Sequence, residues 1–419
     1  MATTPWWKHA HIYELYIDKF AGDLRGLTKQ LHYFETLGIN CLHLLPHFPS
    51  PMVDDGYDIS DYRNIRAELG TLEDFRNLIA QAHAKNIRII IDFVLNHTSQ
   101  DHPWFIEARS TRTNSKRDFY LWNDTQKGFE GSTNAFPDIK ENNWIHNSKT
   151  DDYYFASFYP EQPDLNWDNS EVQEEMLANM DFWIDLGVDG FRLDAAPFLI
   201  KREGTASQSL PETHAMIKKI RRHVAAKNPD IILLAEAHKT IAFTKEYFGN
   251  GDECHMAYHF PLMEAMWLSL ADNNKSIAEK MIAESFDIPD NCQWAVFLRN
   301  HDEVSLSTLP NEDRLRLVDF LDPRHEYLFK KAQATAVRIG TIFDGNQQKI
   351  LEAIELLYTT PGAPIMYYGD EIGMRNLPST GTIVDTRKYV RGTFDWEEAK
   401  RQMNNPDSLF SHVSAIIKK

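Results

Sequence analysis

The 419-residue chain is 42% hydrophobic and 25% charged, a composition that indicates a folded protein with an ample core and excludes disordered and fibrous classes. Its net charge of −17 argues against nucleic acid, anionic membranes and polyanionic substrates as partners. Cys41, Cys254 and Cys292 lack CxxC spacing, and the sequence shows no signal segment or membrane-spanning run, so we predict free, mostly buried thiols and a cytoplasmic location.

Apolar strand-like runs alternate with helix-like segments along the chain. This alternation predicts a parallel sheet with helices on both faces. Eight such units favour a closed TIM (β/α)8 barrel over an open doubly wound sheet, for which no GxGxxG fingerprint is present. The predicted strands are 12–17, 41–45, 87–94, 188–194, 231–237, 254–260, 294–298 and 365–368, and the predicted helices are 27–37, one starting near 71, 172–183, 213–226, 348–357 and 409–417.

Residues 98–169 interrupt this alternation. The stretch is rich in Trp, Asn, Asp, Phe and Tyr and has no helical period. Loops of this length in folded domains usually carry function. We therefore predict that 98–169 form a small subdomain inserted after the third strand, which roofs the site from one side, while 1–97 and 170–419 form the catalytic barrel.

Three predicted strands lead into a carboxylate. Asp194 ends one apolar run, Glu236 ends the next, and Asp302 follows a third. Carboxylates are costly to bury, and packing alone rarely places them at strand ends, so the three predict one polar site at one end of the sheet. Arg192 shares a strand face with Asp194, where it should keep the carboxylate ionised, although a structural pair that braces a loop is the alternative.

Four motifs in chain order are similar to the four sequence regions of the α-amylase family of retaining α-glucoside enzymes, glycoside hydrolase family 13. Further segments, among them Tyr368-Gly-Asp-Glu-Ile-Gly-Met374, resemble its trehalose synthase and α-glucosidase branch. The resemblance covers nearly the whole chain. The four motifs are Asp92-Phe-Val-Leu-Asn-His97, Gly190-Phe-Arg-Leu-Asp194, Glu236 after the fifth strand, and Arg299-Asn-His-Asp302.

The resemblance implies a role for each acid. Asp194 would be the nucleophile that forms a covalent glucosyl-enzyme, and Glu236 would be the general acid and then the general base. Asp302 would stabilise the distorted transition state through the sugar hydroxyls. Retaining enzymes hold the first two carboxyl groups about 5–5.5 Å apart, one ionised and one protonated. Desolvation should therefore raise the pKa of Glu236.

The resemblance also implies a set of substrate-binding residues. His97 and His301 would hydrogen-bond the sugar, and Tyr57 would stack on it. Asp58 would pair with Arg391 to hold the non-reducing end and restrict the enzyme to terminal glucose. The motif around Arg391 departs from the family's Arg-Thr-Pro-Met-Gln-Trp, since it reads Arg391-Gly-Thr-Phe-Asp-Trp396.

Two further departures from the family pattern concern metal ions and length. The first predicted loop lacks the oxygen ligands of a Ca²⁺ site. At a second site the resemblance implies Asn96, Asp164 and an acid after Pro197 as ligands, but Lys201 stands in place of that acid, where its ammonium would substitute for the charge of the metal. We therefore predict no metal and no cofactor. The chain stops at Lys419 without the family's C-terminal β-domain, through truncation or as a trait of its lineage, and the uncovered face is compatible with a homo-oligomer.

Three functions remain open at this point. The first is an enzyme of small α-glucosides such as maltose, trehalose or sucrose, most like a trehalose synthase that interconverts maltose and trehalose. The second is an α-glucosidase or transglucosidase that passes glucose to water or another acceptor. The third is a non-catalytic sugar-binding scaffold, which the presence of all three carboxylates disfavours. The sequence leaves the acceptor and the linkage undecided.

Overall fold

Eight parallel strands close into a barrel in the computed structural model, which describes residues 5–419. Each strand pairs with its neighbours in chain order, and the last pairs with the first, so that Ile12 lies opposite Ile365. The predicted TIM barrel is confirmed. The strands are β1 (Ile12–Leu15), β2 (Cys41–Leu44), β3 (Arg88–Val94), β4 (Gly190–Asp194), β5 (Ile232–Ala235), β6 (Met256–Tyr258), β7 (Gln293–Phe297) and β8 (Ala363–Tyr367).

The strands are almost entirely buried, which accounts for their near-continuous apolar sequences. In β3 only Arg88 is exposed, because helices cover the barrel outside and side chains fill its interior. Most strands are shorter than predicted. Thus β5 ends at Ala235, and Glu236 begins the loop that follows it. This places the carboxylate at the rim of the barrel, where βα-loops build binding sites.

The outer helices begin and end at recognisable capping residues. Thr71 and Asp74 form a capping box at the start of Leu72–Ala84, and Gly187, at φ 100°, ends Ser170–Leu186 in the left-handed region. The predicted helix at 27–37 is split in two at Gln30. The α-helices are Ile17–Ala21, Leu24–Lys29, Leu31–Leu37, Leu72–Ala84, Pro103–Ala108, Ser170–Leu186, Pro211–Lys227, Ile241–Lys245, Phe260–Ala271, Ser276–Ser285, Asn311–Leu321, Ile339–Ile342, Gln347–Thr359, Trp396–Met403 and Leu409–Ile417.

Within residues 5–419, two small antiparallel sheets lie outside the barrel. The first is in the long segment after β3, which also contains the short helix Pro103–Ala108 that its composition did not predict. The second, between β7 and β8, was not predicted either, since its strands are only two residues long. The first sheet has the order Trp122–Asn123, Asp152–Phe155, Trp144–Asn147, and the second Val304–Ser305, Ala334–Thr335, Leu328–Phe329.

The cysteine prediction is confirmed within residues 5–419. Cys41, Cys254 and Cys292 are all buried, and none forms a disulfide. In the same part of the chain, every helix is too short or too polar to cross a lipid bilayer.

Candidate active site

The three predicted carboxylates meet at one cavity at the carboxyl ends of the barrel strands. Asp194 ends β4, Glu236 follows β5, and Asp302 lies in the loop after β7. Their side chains are 11%, 21% and 19% exposed, respectively, so each is largely desolvated yet open to the cavity. The cavity has a volume of about 100 Å³, and its other lining residues are Asp54, Tyr57, His97, Phe136, Phe158, His238, Phe260, Asn300, Glu303, Ser305, Lys330 and Arg387.

Arg192 connects the carboxylates on one side of the cavity. Its buried guanidinium contacts Asp194, lies 3.0 Å from Asp92 and 2.8 Å from Glu236, so the predicted contact with Asp194 is present. Burial raises the pKa of Asp194 well above its usual range, Arg192 opposes that shift, and Glu236 and Asp92 add to it. The expectation that Arg192 keeps Asp194 ionised therefore does not hold for the site without substrate. One guanidinium neutralises only part of the negative charge of three carboxyl groups. The remaining negative charge favours binding of a proton in the site without substrate. Protonation of Glu236 itself stays a prediction.

The backbone after Asp194 orients the second carboxylate. Ala195 has a φ of 49°, in the left-handed region that residues other than Gly rarely adopt, at a cost of about 1–3 kcal/mol. In this turn its N–H donates to Glu236 Oε2 at 3.1 Å. The strained turn thus links the nucleophile candidate directly to the acid candidate.

Asp302 is held by three cationic groups. His301 Nε2 lies 3.0 Å from its Oδ2, while Arg387 and Arg391 donate to its Oδ1 at 3.0 and 2.7 Å. Burial alone would raise the pKa of Asp302, but His301 and the two arginines hold it well below the usual range. Asp302 is therefore ionised and fixed before a sugar binds.

The predicted aromatic and histidine residues surround the same cavity in two layers. Tyr57 lines it, donates to Asp92 at 2.9 Å and stacks on His301 at 5.3 Å between ring centroids. His301 itself lies behind Asp302 and is fully buried. His97 lines the cavity, burial lowers its pKa to about 4, and its Nε2 finds no partner in residues 5–419. A sugar hydroxyl would supply that missing hydrogen bond.

The predicted pair of Asp58 and Arg391 is wrong. Asp58 accepts hydrogen bonds from Ser50 and from the N–H groups of Val53 and Asp54, so it holds its own loop together. Arg391 instead lies 2.6 Å from Asp55.

The pair that does line the cavity is Asp54 with Arg387, at 2.8 Å. Asp55 and Gly56, which lie between the two acids, adopt the left-handed region, and Asp54 lines the cavity whereas Asp58 does not.

Three aromatic rings, those of Phe136, Tyr159 and Phe329, pack together at the cavity and are called the aromatic seam below. Phe136 and Tyr159 come from the segment inserted after β3, and Phe329 comes from the second small sheet. The ring centroid of Phe136 lies 5.3 Å from that of Tyr159 and 5.8 Å from that of Phe329. Val53, beside Asp54, packs against the same rings. Three distant parts of the chain therefore meet beside the cavity, which Phe136 lines.

A second cavity, of about 370 Å³, adjoins the first. Both are lined by Glu236, Phe158, His238, Ser305 and Lys330, so Glu236 stands at their boundary. A carboxyl group in that position can transfer a proton between a group bound in the first cavity and one bound in the second. The other two carboxylates, Asp194 and Asp302, line only the first cavity.

Comparison with known proteins identifies the family of the chain. The model of the α-amylase catalytic domain matches residues 11–329. The chain belongs to the α-amylase family. The chain is 41% identical over 410 residues to the trehalose synthase/amylase TreS of Mycolicibacterium smegmatis. The alignment covers 94% of this chain and 67% of that protein.

Two more relatives extend the comparison. The trehalose synthase of Thermus thermophilus is 42% identical over 401 residues, which are 94% of this α-amylase family chain and 41% of that protein. The crystal structure of the trehalulose synthase MutB from Pseudomonas mesoacidophila MX-45 matches with a TM-score of 0.78 and 26% identity, covering 99% of this chain and 84% of that one.

In this member of the α-amylase family a lysine is bound by the predicted oxygen ligands of the second metal site. The Lys201 ammonium lies 2.6 Å from Asn96 Oδ1, from Asp164 Oδ2 and from the carbonyl of Phe198. The lysine side chain is 1% exposed. Burial lowers the pKa of Lys201, and Asp164 opposes that shift. The ammonium thus pairs with Asp164, as expected from the sequence, while calcium independence stays a prediction.

Proposed function

We propose that the protein interconverts maltose and trehalose by moving one glucosyl group through a covalent bond to Asp194. The observation that carries the proposal is the position of Glu236 between a small cavity with the other two carboxylates and a larger second cavity. The first suits the transferred glucosyl group and the second its leaving and accepting glucose. The identity of 41–42% to named trehalose synthases supports the same choice of substrate.

The reaction follows from this arrangement in two steps. In the first, Asp194 attacks the anomeric carbon of the terminal glucose while Glu236 gives its proton to the glycosidic oxygen, so that glucose departs into the second cavity. In the second, Glu236 takes the proton of the anomeric hydroxyl of the turned glucose, whose oxygen attacks the same carbon and releases Asp194. Two displacements retain the α configuration. Asp302, ionised and fixed, accepts hydrogen bonds from the distorted sugar.

Asp54 and Arg387 would restrict the reaction to a terminal glucose, because their ion pair occupies the wall of the first cavity. Replacing Arg387 with Gln should lower kcat/KM for maltose by about 10- to 100-fold, the effect of losing charged hydrogen bonds worth about 1.5–3 kcal/mol. Arg375→Gln, at an exposed arginine paired with Asp344, is the matched control and should leave kcat/KM unchanged. Equal kcat/KM values for the two variants would contradict the role of Arg387.

We also propose that the enzyme works without calcium, because the Lys201 ammonium is paired with Asp164 at the second site. A cytoplasmic location stays part of the proposal, since three buried thiols fit a reducing compartment.

The experiment that tests the function is incubation of the purified protein with maltose, trehalose and sucrose separately, with products resolved by chromatography over time. We expect trehalose from maltose and maltose from trehalose, with little free glucose. Glucose or a new glucoside as the main product would replace the proposal by an α-glucosidase or transglucosidase, which shares the first step and differs only in its acceptor. No turnover of any sugar would favour a binding protein.

A further inference from the structure

Glu14 lies on β1, inside the barrel, and is fully buried. It lines neither of the two cavities at the site, yet its carboxylate contacts His301, the residue behind Asp302. Glu14 Oε1 accepts from the backbone N–H of His301 at 2.7 Å and lies 3.0 Å from its Nδ1. Two contacts from one oxygen fix both the backbone and the ring of His301.

His301 stands between two carboxylates. Its Nδ1 faces Glu14, and its Nε2 faces Asp302 Oδ2 at 3.0 Å and the Tyr57 oxygen at 2.6 Å. The Tyr57 hydroxyl donates to Asp92, so its oxygen is free to accept. A neutral imidazole has one N–H and could donate on one side only. The contacts on both sides therefore select the imidazolium.

Acidic and basic side chains continue to alternate from Glu14 towards the reacting carboxyl groups. Glu14 Oε2 lies 3.1 Å from His43 Nδ1, and His43 Nε2 lies 3.4 Å from Asp92 Oδ2. Asp92 in turn contacts Arg192, which holds Asp194 and Glu236. A buried chain of alternating charges thus runs from Asp302 to the two reacting carboxyl groups.

We propose that Glu14 is a positioning residue of the reaction, which holds His301 as an imidazolium and through it fixes Asp302 against the sugar. The inference rests on the proposed glucosyl transfer but not on the choice of acceptor. Glu14 acts through His301 and does not touch the substrate.

The charges around His301 determine how this arrangement responds to pH. Burial would lower the pKa of His301, but Asp302 and Glu14 raise it to about 9. Removing the charge of Glu14 should therefore let His301 lose its proton at lower pH. The charged and titratable groups around His301 are Glu14, Asp302, Asp92, Tyr57, Tyr16 and, at its carbonyl oxygen, Arg391.

The test is Glu14→Gln, which keeps the shape and removes the charge. Cleavage of 4-nitrophenyl α-glucoside reports the first step whatever the acceptor. The kcat/KM of the variant is divided by that of the wild type at each pH, so that ionisations common to both proteins cancel. We expect the variant to be within about threefold of the wild type near pH 5.5 and at least about tenfold slower near pH 8.5, since one pKa unit is a tenfold change in protonation. A ratio that does not change with pH overturns the proposal.

Glu253→Gln is the matched control, because Glu253 is also a buried glutamate that contacts a histidine, His214, but lines neither cavity. The ratio of the kcat/KM of this control variant to that of the wild type should not vary with pH. If Glu14→Gln does not fold, NMR of the wild type with labelled histidines measures the protonation state of His301 instead. The signal of His301 is assigned by its loss in His301→Gln. An imidazolium at residue 301 near pH 8 supports the proposal, and a neutral ring there overturns it. Cleavage of the aryl glucoside without trehalose from maltose would disprove only the proposed function.

Discussion

Replacing Asp194 with Asn should lower kcat for cleavage of 4-nitrophenyl α-glucoside by at least about 10⁴-fold, because a neutral amide cannot form the glucosyl ester. The change preserves the shape of the side chain and one oxygen that can still accept from Arg192. Folding should therefore survive, and circular dichroism and the melting temperature of the variant would show whether it does. The measurement is the initial rate of nitrophenol release at saturating substrate.

The matched control for this change is Asp185→Asn on the outer helix Ser170–Leu186. Asp185 is 65% exposed and pairs with Lys227 at the surface, so the rate should stay within twofold of the wild type. A 5-fluoroglucosyl fluoride should add its sugar to the wild type at Asp194, detectable by peptide mass spectrometry. An adduct on another carboxylate, or a variant that keeps a few per cent of the rate, would refute the assignment of Asp194 as the nucleophile.

The second large effect concerns stability. Replacing Lys201 with Ala should lower the free energy of unfolding by about 3–5 kcal/mol, because Asp164 is fully buried and would lose its cation. Urea unfolding followed by tryptophan fluorescence measures the difference. Lys201→Met should lose nearly as much, since it restores the volume of the stem but not the charge. Adding Asp164→Asn to Lys201→Met should recover part of the loss.

A surface lysine provides the control for the stability prediction. Lys219, on the helix Pro211–Lys227, donates to Gln173 at an exposed position, and Lys219→Ala should change the free energy of unfolding by less than about 0.5 kcal/mol.

Thermal unfolding of the wild type tests calcium independence. Neither Ca²⁺ nor EDTA should shift the melting temperature of the wild type measurably. A shift of several degrees with either would show that a metal site exists despite Lys201.

The barrel and the three carboxylates were predictable because each depends on local sequence. A buried parallel strand reads as a short apolar run, and a polar residue at its end faces the rim of the barrel whatever the other strands do. Asp194 and Glu236 are such residues, and Asp302 lies in the loop that follows β7. The resemblance to the family also placed Lys201 at the second metal site, beside Asn96 and Asp164.

The wall of the cavity was predicted less well, because it is built by loops. Asp54, Asp55 and Asp58 lie within five residues, and Arg387 and Arg391 are four apart, so composition could not decide which acid meets which arginine. The choice depends on the left-handed turn at Asp55 and Gly56, and no neighbouring apolar period signals it. The two-residue strands between β7 and β8 escaped prediction for the same reason.

In the proposed reaction, the packing of the aromatic seam of Phe136, Tyr159 and Phe329 beside the cavity makes the product composition depend on two competing motions. After the first step, the released glucose has to turn inside the site before it can be rejoined, while parting of the three rings would let water in and glucose out. Parting must separate packed apolar surface and so has a steep dependence on temperature, whereas tumbling of a small sugar has a shallow one. Warming should thus increase the share of free glucose among the products even where the rate of bond cleavage continues to rise.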